Sequence, residues 1–291
     1  MKTGKIAQTF RIDNGKHFRL KDYDPANRGH WKSKDHATEA LVQGIARTAE
    51  LQDKLYAQDN WALLLIFQAM DAAGKDGAIK HVMSGVNPQG CEVHSFKAPS
   101  AQELQHDFLW RTTCKFPERG HIGIFNRSYY EEVLVVRVHS QILKGQGLPE
   151  KLMTKHIWDE RFEDICSFER HMARNGTVIR KFFLHVSKKE QKKRFLERLE
   201  QPEKNWKFSA SDVHERDCWG DYQDAYEDMI RNTASKHAPW YVVPADNKWF
   251  TRLVISTVIV DTLESLNLSY PKVDDANRKD LEAAKKKLLK E

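Results

Sequence analysis

The chain has 291 residues, of which 40% are hydrophobic and 30% are charged. This composition can bury a sizeable core, so it excludes an intrinsically disordered chain, and no stretch approaches the roughly 18 consecutive apolar residues of a transmembrane helix. The 47 lysines and arginines exceed the 41 acidic residues, which gives a formal net charge of +6. That excess favours an acidic partner: nucleic acid, a membrane surface or a small polyanion.

The cysteines and the N-terminal residues indicate the compartment. Residues 1–16 lack the apolar stretch of a secretory signal. The four cysteines, Cys91, Cys114, Cys166 and Cys218, are far apart and form no CxxC pair. Such cysteines are typical of a reducing environment rather than of a disulfide framework or a zinc ribbon. We therefore expect a cytoplasmic protein.

The first 59 residues are predicted to form an arm and a helix that precede the core. Residues 1–35 are polar and show no regular spacing of apolar residues. Leu41, Ile45 and Ala49 lie at helical spacing, which predicts an amphipathic helix over residues 38–59. No change in composition marks a domain boundary, so the whole chain, residues 1–291, is expected to form one domain.

Residues 60–268 alternate between short apolar runs and segments with helical spacing. The apolar runs predict five strands, over residues 61–67, 91–97, 121–126, 177–186 and 240–244. Helices are predicted over residues 76–84, 101–113, 128–140, 149–174, 188–200 and 249–266. This alternation is typical of βαβ units, and it predicts an α/β fold with three α/β/α layers and a parallel five-stranded sheet.

Two segments lie outside that alternation. Residues 203–233 are longer than a crossover between strands needs, and they carry basic residues such as Lys207 and Arg216. We interpret them as a helical lid, because mobile lids that close over phosphates use arginine and lysine side chains. A solvated helix face above packed aromatic residues is the alternative. Residues 269–291 form a lysine-rich C-terminal tail.

The strongest local pattern follows the first predicted strand. A turn of small residues there leads through a Gly-Lys pair into a helix, the context of a phosphate-binding loop. The match to GxxxxGK[ST] is incomplete, since Ala69 replaces the first glycine and Asp76 replaces the serine or threonine that contacts Mg²⁺. A tight turn with a surface lysine is the alternative. The loop consists of Asp71, Ala72, Ala73, Gly74, Lys75, Asp76 and Gly77.

A second polar cluster, Asn126, Arg127 and Glu131, follows the third predicted strand. Ligands of open α/β sheets bind at the carboxyl ends of strands, so we expect this cluster to lie near the phosphate-binding loop. Arg127 is suited to a phosphate, although an ordinary surface or capping arginine is the alternative.

Six sequence blocks between residues 35 and 268 resemble, in the same order, those of the polyphosphate kinase 2 family. The blocks are MDAAGKDG at 70–77, GVNPQG at 85–90, SFKAPS at 95–100, HDFLWR at 106–111, IGIFNRSYYEE at 122–132 and APW-VP-D-KW at 238–249. The resemblance implies a thymidylate-kinase-like P-loop kinase fold with a helical lid. It also implies Mg²⁺-dependent, reversible phosphoryl transfer between inorganic polyphosphate and nucleotides, with Mn²⁺ as the alternative ion, in a homodimer or homotetramer.

Asn126 stands where many family members have Asp. It resembles the subgroup that accepts both AMP and ADP, and GMP and GDP are further candidate acceptors. By the same resemblance, the catalytic residues are Asp71, Lys75, Asn126 and Arg127. The predicted phosphate-binding and nucleotide-binding residues are Ala72, Ala73, Gly74, Lys75, Asp76, Gly77, Arg127, Lys97, Arg111, Lys207 and Arg216.

Asp71 and Asp76 are unusual in a phosphate-binding loop, because a carboxylate repels phosphate. They are explained if Mg²⁺ lies between, since this hard cation prefers oxygen ligands. The predicted metal ligands are therefore Asp71, Asp76 and Glu131. Lys80 and His121 are further candidates for a basic polyphosphate-binding track.

Two other functions remain open. The first is a kinase on the same fold that uses ATP to phosphorylate a nucleoside, a nucleotide or another small molecule; the missing serine or threonine after Lys75 argues against it. The second is a non-enzymatic polyanion-binding protein, for which no RRM, KH or helix-turn-helix pattern is present. We expect no nucleic-acid partner and no membrane partner.

Overall fold

A six-stranded sheet runs through the middle of the computed structural model, which describes residues 4–31 and 34–291. The strands are β1 (Arg11–Ile12), β2 (Ala62–Gln68), β3 (Cys91–Ser95), β4 (Ile122–Asn126), β5 (Thr177–His185) and β6 (Trp240–Pro244). Their order across the sheet is β1-β6-β5-β2-β4-β3. The five predicted strands are all present and pair in parallel, which confirms the α/β class.

The predicted count of five strands is wrong by one. Strand β1 pairs antiparallel with β6 at the sheet edge, where Arg11 lies opposite Tyr241 and Ile12 opposite Trp240. Two residues are too few to show the alternation of a strand. The segment reads as irregular in the sequence because its pairing depends on a strand more than 200 residues further along the chain.

Thirteen α-helices are present in the described part of the chain. They are α1 (Gly4–Thr9), α2 (Lys34–Gln58), α3 (Lys75–Val82), α4 (Trp110–Thr113), α5 (Val135–Val138), α6 (Gln141–Lys144), α7 (Ile157–Arg174), α8 (Lys188–Glu200), α9 (Pro202–Asn205), α10 (Ala210–Glu215), α11 (Trp219–Thr233), α12 (Lys248–Ser265) and α13 (Asp275–Leu288). None of them is long and apolar enough to cross a membrane.

Three predicted helices are shorter than the spacing of their apolar residues indicates. In the segment 101–113 only α4 is α-helical, because the Asp107 carboxylate accepts a hydrogen bond from Leu109 N and forms a local turn. The segment 128–140 divides into a 3-10 turn and α5, and in the segment 149–174 the helix begins only at Ile157. Apolar spacing does not detect such local side-chain bonds.

The central strands are covered on both faces. Every residue of β2 is buried, as a strand between two helical layers requires. Helix α12 contacts both α2 and α3, and helix α11 contacts both α5 and α7. The three-layer arrangement therefore follows the prediction.

The predicted insertion at 203–233 contains two different parts. Helices α9 and α10 are short and largely exposed above the carboxyl edge of the sheet. Helix α11 instead buries Met229 and Ile230 completely in the core. Only the part before α11 has the exposure expected of a lid.

Candidate active site

The carboxyl ends of β2, β4 and β3 meet at one edge of the sheet. Asn126 lies opposite Phe67 in one neighbouring strand and opposite Ser95 in the other. Arg127 N donates to Phe67 O at 3.0 Å, so the two polar clusters begin side by side. Their predicted proximity is confirmed.

Two side-chain contacts join these clusters. Arg127 Nη2 lies 3.1 Å from Asp71 Oδ1, and Asn126 Nδ2 donates to Asp76 Oδ1 at 2.8 Å. Arg127 adopts a φ of 65°, a left-handed conformation that costs a residue with a side chain about 1–3 kcal/mol. The fold therefore holds Arg127 against its local preference and directs it toward the loop after β2.

The loop after β2 has the backbone of an anion-binding turn. Ala72 and Gly74 adopt positive φ values of 59° and 105°, and α3 begins at the next residue, Lys75. The first-turn N–H groups of a helix have no acceptors within the helix, and the helix dipole adds a partial positive charge there. The loop thus presents donors and positive potential to the space above it.

Lys75 is held inside this loop. Its Nζ donates to Ala69 O at 2.9 Å. Burial lowers the pKa of Lys75, while the carboxylate of Asp71 acts to raise it. A desolvated ammonium group beside free amide donors gains more from an incoming phosphate than an exposed lysine would.

Arg194, from α8, supports the same loop from behind. Its Nη1 donates to Ala72 O at 3.0 Å and to Ala73 O at 2.7 Å, and its Nη2 donates to Ala245 O at 2.7 Å. Only 4% of Arg194 is exposed, and its Nε donates to Glu190. Because the guanidinium binds the loop carbonyls, the loop amides are left to face the opposite side.

Two of the predicted phosphate-binding arginines have supporting positions instead. Arg216 donates to the side chain of Gln191 at 2.6 Å, and Gln191 Nε2 donates to Asp71 O at 2.9 Å. Arg111 donates to Lys97 O at 2.8 Å and lies over the ring of Phe96. Both arginines therefore contact residues that position the site.

The other two candidates for the polyphosphate-binding track, Lys80 and His121, lie away from the site. Lys80 is exposed on α3, and His121 precedes β4, at the opposite edge of the sheet from the site. Neither lines the cavities at the carboxyl edge.

The largest cavity at this edge, of about 580 Å³, is the phosphate-loop cleft. The loop residues 71–77, Asn126 and Arg127 form one side, and Ser95 and Lys97 form another. Arg198, from α8, and Trp206 and Lys207, which follow α9, also line it. Five cationic and three acidic side chains line the cleft, so it favours an anion.

A second cavity, the rear groove, has a volume of about 220 Å³ and shares the phosphate-binding loop with the cleft. Burial lowers the pKa of Lys248 at its wall, and the neighbouring Arg194 lowers it further. Glu197 is the one acidic residue that lines it. Its cationic residues are Arg194, Arg198, Lys204, Lys207, Lys248 and Arg252.

A third cavity, the inner chamber, has a volume of about 250 Å³ and shares Asp71, Arg127 and Asp212 with the phosphate-loop cleft. Met70, Val135, Tyr222 and Tyr226 form its apolar and aromatic wall. Its carboxyl-bearing and basic residues are Asp71, Arg127, Glu131, Asp212 and Glu215. Four of these five are acidic, so its charge is the opposite of that of the rear groove.

The three predicted metal ligands each have a separate partner. Asp71 pairs with Arg127, Asp76 accepts from Asn126, and Glu131 Oε1 accepts from Gln68 at 2.9 Å. Burial raises the pKa of Glu131, and Arg127 opposes this shift. Across residues 4–31 and 34–291, no three acidic, histidine or cysteine side chains gather into a metal-binding group.

Several site residues were not predicted from the sequence. Arg194, Arg198, Lys248 and Arg252 lie in helical segments where basic residues are common. The excess of basic residues between 188 and 207 marks the segment of Arg194 and Arg198 but gives no signal for Lys248 or Arg252. It does not separate Arg194, which binds the loop, from the exposed Lys192 two positions earlier.

Comparison with known proteins identifies the family. A family model described as polyphosphate kinase 2 (PPK2) matches residues 32–271. A protein of Rhodopseudomonas palustris named ADP-polyphosphate phosphotransferase is 54% identical over 284 residues, covering 94% of this chain and 98% of that protein. A protein of Meiothermus ruber named AMP/ADP-polyphosphate phosphotransferase is 44% identical and covers 93% and 97% of the two chains.

Solved structures agree with this assignment. The crystal structure of polyphosphate kinase 2 from Arthrobacter aurescens TC1 superimposes with a TM-score of 0.87 at 39% identity, over 96% of each chain. The fold and the site define an α/β protein with a cleft rich in cationic residues at the carboxyl edge of its sheet. The chain belongs to the polyphosphate kinase 2 family.

Proposed function

We propose that the protein transfers phosphoryl groups reversibly between inorganic polyphosphate and nucleotides, converting AMP to ADP and ADP to ATP. The observation that carries the proposal is the phosphate-binding loop with Lys75, which lies beside Asn126 and Arg127 in a cleft that shares the loop with a cationic groove. Family membership and the names of the two similar proteins support the same reaction. A thymidylate-kinase-like P-loop kinase fold is consistent with the strand, loop and helix at 62–82.

The reaction makes and breaks one type of bond. A terminal phosphate oxygen of the nucleotide attacks the end phosphorus of the chain, and a new P–O bond forms. The bridging P–O bond to the rest of the chain breaks, and the shortened chain leaves with its electron pair. Such a transfer requires the protein to position the reacting phosphates and to neutralise their negative charge. Lys75, the loop amides and Arg127 are placed to provide both.

Mg²⁺ is proposed as the cofactor, with Mn²⁺ as the alternative ion. Mg²⁺ is commonly held by one or two carboxylates together with substrate phosphates, so a site without three gathered ligands fits it. Asp71 is the proposed principal ligand, with Asp76 or Glu131 in support. When bound, the ion would neutralise phosphate charge during transfer.

We propose the range of acceptor nucleotides from the neutral side chain of Asn126. An amide in place of a carboxylate adds no negative charge beside the loop, and here it donates to Asp76. A neutral side chain accommodates acceptors with different numbers of phosphate charges. We therefore keep AMP and ADP as acceptors, with GMP and GDP as further candidates.

The rear groove is proposed to bind the polyphosphate chain beyond its reacting end. Polyphosphate is a regular polyanion, and the groove has six cationic residues beside the loop. Replacing Lys248 and Arg252 by glutamine is expected to weaken the binding of long polyphosphate. It should also flatten the dependence of log K on log salt by about 0.7 per removed charge, the value known for single-stranded nucleic acid.

The matched control for the groove is Lys192→Gln, an exposed residue of α8 that does not line it. Titrations at several salt concentrations provide the measurement. Equal slopes in the groove variant and in the wild-type protein would rule out the groove as the polyphosphate site.

The proposed reaction is tested by comparing phosphate donors. With AMP as acceptor and Mg²⁺ present, polyphosphate should yield ADP and then ATP, and a chelator should stop the reaction. Product formation from ATP alone would favour an ordinary ATP-dependent kinase. Tight polyanion binding with no turnover of any nucleotide would favour a non-enzymatic binding protein.

A cytoplasmic location and a homo-oligomeric state are also proposed. The four free cysteines, Cys91, Cys114, Cys166 and Cys218, suit a reducing cytoplasm. A homodimer or homotetramer is implied by the family resemblance alone. Sedimentation velocity gives the mass of the assembly directly, and a monomer at all concentrations would contradict this proposal.

A further inference from the structure

We propose that a cavity beneath the N-terminal arm binds a small organic cation, an ammonium group carried on an apolar or aromatic body. This arm cavity has a volume of about 330 Å³ and lies between residues 9–27 and the ends of β5 and β6. It shares no residue with the phosphate-loop cleft, the rear groove or the inner chamber. The inference therefore concerns a separate site and does not depend on the proposed reaction.

The first argument is an unsatisfied polar group in the cavity wall. His185 lines the cavity and is 8% exposed, and its Nδ1 has no hydrogen-bond partner in the part of the chain that the structure describes. Burial lowers the pKa of His185 to about 4, although Asp246 and Asp24 act to raise it. The ring is therefore neutral at neutral pH, and a neutral imidazole can accept a hydrogen bond at Nδ1. An ammonium group is a suitable donor.

The second argument is the charge of the wall. Apart from histidines, the carboxyl-bearing and basic residues that line the cavity are Asp22, Asp24 and Arg19. Arg19 Nε donates to Asp22 Oδ2 at 2.9 Å, so these two charges offset each other. Asp24 Oδ1 accepts from Ala26 N at 2.8 Å, and no described cationic side chain pairs with Asp24. The charge that remains is negative, which favours a cation over an anion.

The third argument is the aromatic part of the wall. Phe10, Phe18 and Tyr23 line the cavity, and the ring centres of Phe18 and Tyr23 lie 5.2 Å apart. The electron-rich faces of aromatic rings attract organic ammonium ions. A metal ion such as Mg²⁺ instead requires several oxygen ligands, and residues 4–31 and 34–291 contain no group of three metal-binding side chains. The wall therefore suits an organic cation better than a metal ion.

The arm that closes the cavity is bonded to the body of the protein. Arg231, from α11, donates through Nε to Phe18 O at 2.9 Å. Asp246, which follows β6, donates through its backbone N to Pro25 O at 3.1 Å. Because both ends of the segment 18–25 are held, the cavity is preformed and a ligand does not have to order the arm.

Three probes of similar size and different charge test the class of ligand. At neutral pH benzylammonium is a cation, benzyl alcohol is uncharged and benzoate is an anion. Benzylammonium is expected to bind at least about tenfold more tightly than either of the others, as measured by calorimetry. Equal or tighter binding of benzyl alcohol or benzoate would overturn the inference, and so would the absence of benzylammonium binding.

Two variants test the location of the bound cation. Asp24→Asn removes the unpaired charge and keeps the oxygen that accepts from Ala26 N, and His17→Arg adds a cation at an exposed position of the wall. Each is expected to weaken benzylammonium binding by about threefold or more. Unchanged binding in both variants would overturn the inference, because the cation would then bind elsewhere.

Asp159→Asn is the matched control, because Asp159 is an exposed carboxylate of α7 that does not line the cavity. It should bind benzylammonium as the wild-type protein does. A loss of affinity equal to that of Asp24→Asn would overturn the inference, since the cation would then respond to surface charge in general.

The Nδ1 resonance of His185 reports the contact directly in two-bond ¹H–¹⁵N spectra of the histidine rings. The resonance is assigned by its loss in His185→Gln. It should shift when benzylammonium is added and stay in place when benzoate is added. An unshifted Nδ1 resonance at concentrations where benzylammonium binds would overturn the inference.

Discussion

Lys75→Met is expected to lower kcat/KM for phosphoryl transfer by about 10²–10³-fold, the usual cost of removing one preorganised group that stabilises charge in a transition state. Lys75 is partly buried, which lowers its pKa, and its Nζ is held by Ala69 O beside the loop amides. Methionine keeps a similar length and removes the charge. Initial rates with AMP and polyphosphate measure the effect.

Lys80→Met is the control for this variant, because Lys80 lies on the same helix, α3, but is exposed outside the cleft. It should retain nearly full activity. An active Lys75→Met variant with wild-type kcat/KM would show that Lys75 does not stabilise the transferred phosphate.

Lys181→Met is expected to lower the free energy of unfolding by about 3–5 kcal/mol, because it leaves the Glu169 carboxylate buried without its ionic partner. Lys181 and Glu169 are completely buried, and their Nζ–Oε2 distance is 2.7 Å. Nζ also donates to Tyr130 OH and to Thr233 O. Urea unfolding monitored by tryptophan fluorescence measures the loss.

The double variant Lys181→Met/Glu169→Leu tests whether the unpaired carboxylate of Glu169 causes this loss of stability. It removes both charges, so it should be more stable than Lys181→Met alone, although Tyr130 OH and Thr233 O lose partners. A double variant that is as unstable as the sum of the two single variants would show that the two charges do not interact.

The buried Lys181–Glu169 pair also helps to fix the position of Arg127 in the candidate active site. Glu169 Oε1 accepts from Tyr129 OH at 2.9 Å and from Tyr130 OH at 2.7 Å. Both tyrosines follow Arg127 by two or three residues. The network thereby fixes the turn that holds Arg127 at a positive φ, and it links the stability of the core to the geometry of the cleft.

The fold was largely predictable because its central strands are local features. Strands β2, β4 and β6 are short apolar runs, and β6 was predicted with the same bounds as the structure shows. Helix α8 was also predicted at its observed bounds. Strand β1 was missed because it depends on a distant partner, and the segments 101–113 and 128–140 were assigned as long helices because side-chain bonds within them were not visible.

The site was predictable where one segment carries the chemistry. The loop at 71–77 and the pair Asn126 and Arg127 are each continuous in the sequence, and the parallel sheet brings them together. Arg194 was not predictable, because its role depends on carbonyls from two other loops. The division into three cavities of different charge was also beyond the sequence, since each combines residues from several elements.

The central claim, that polyphosphate is the phosphoryl donor to a nucleotide, is tested most directly with labelled substrate. Polyphosphate carrying ³²P is incubated with unlabelled AMP and Mg²⁺, and the nucleotides are separated. The account predicts that label appears first in ADP and then in ATP. Nucleotides that remain unlabelled while ATP supports AMP phosphorylation would contradict it.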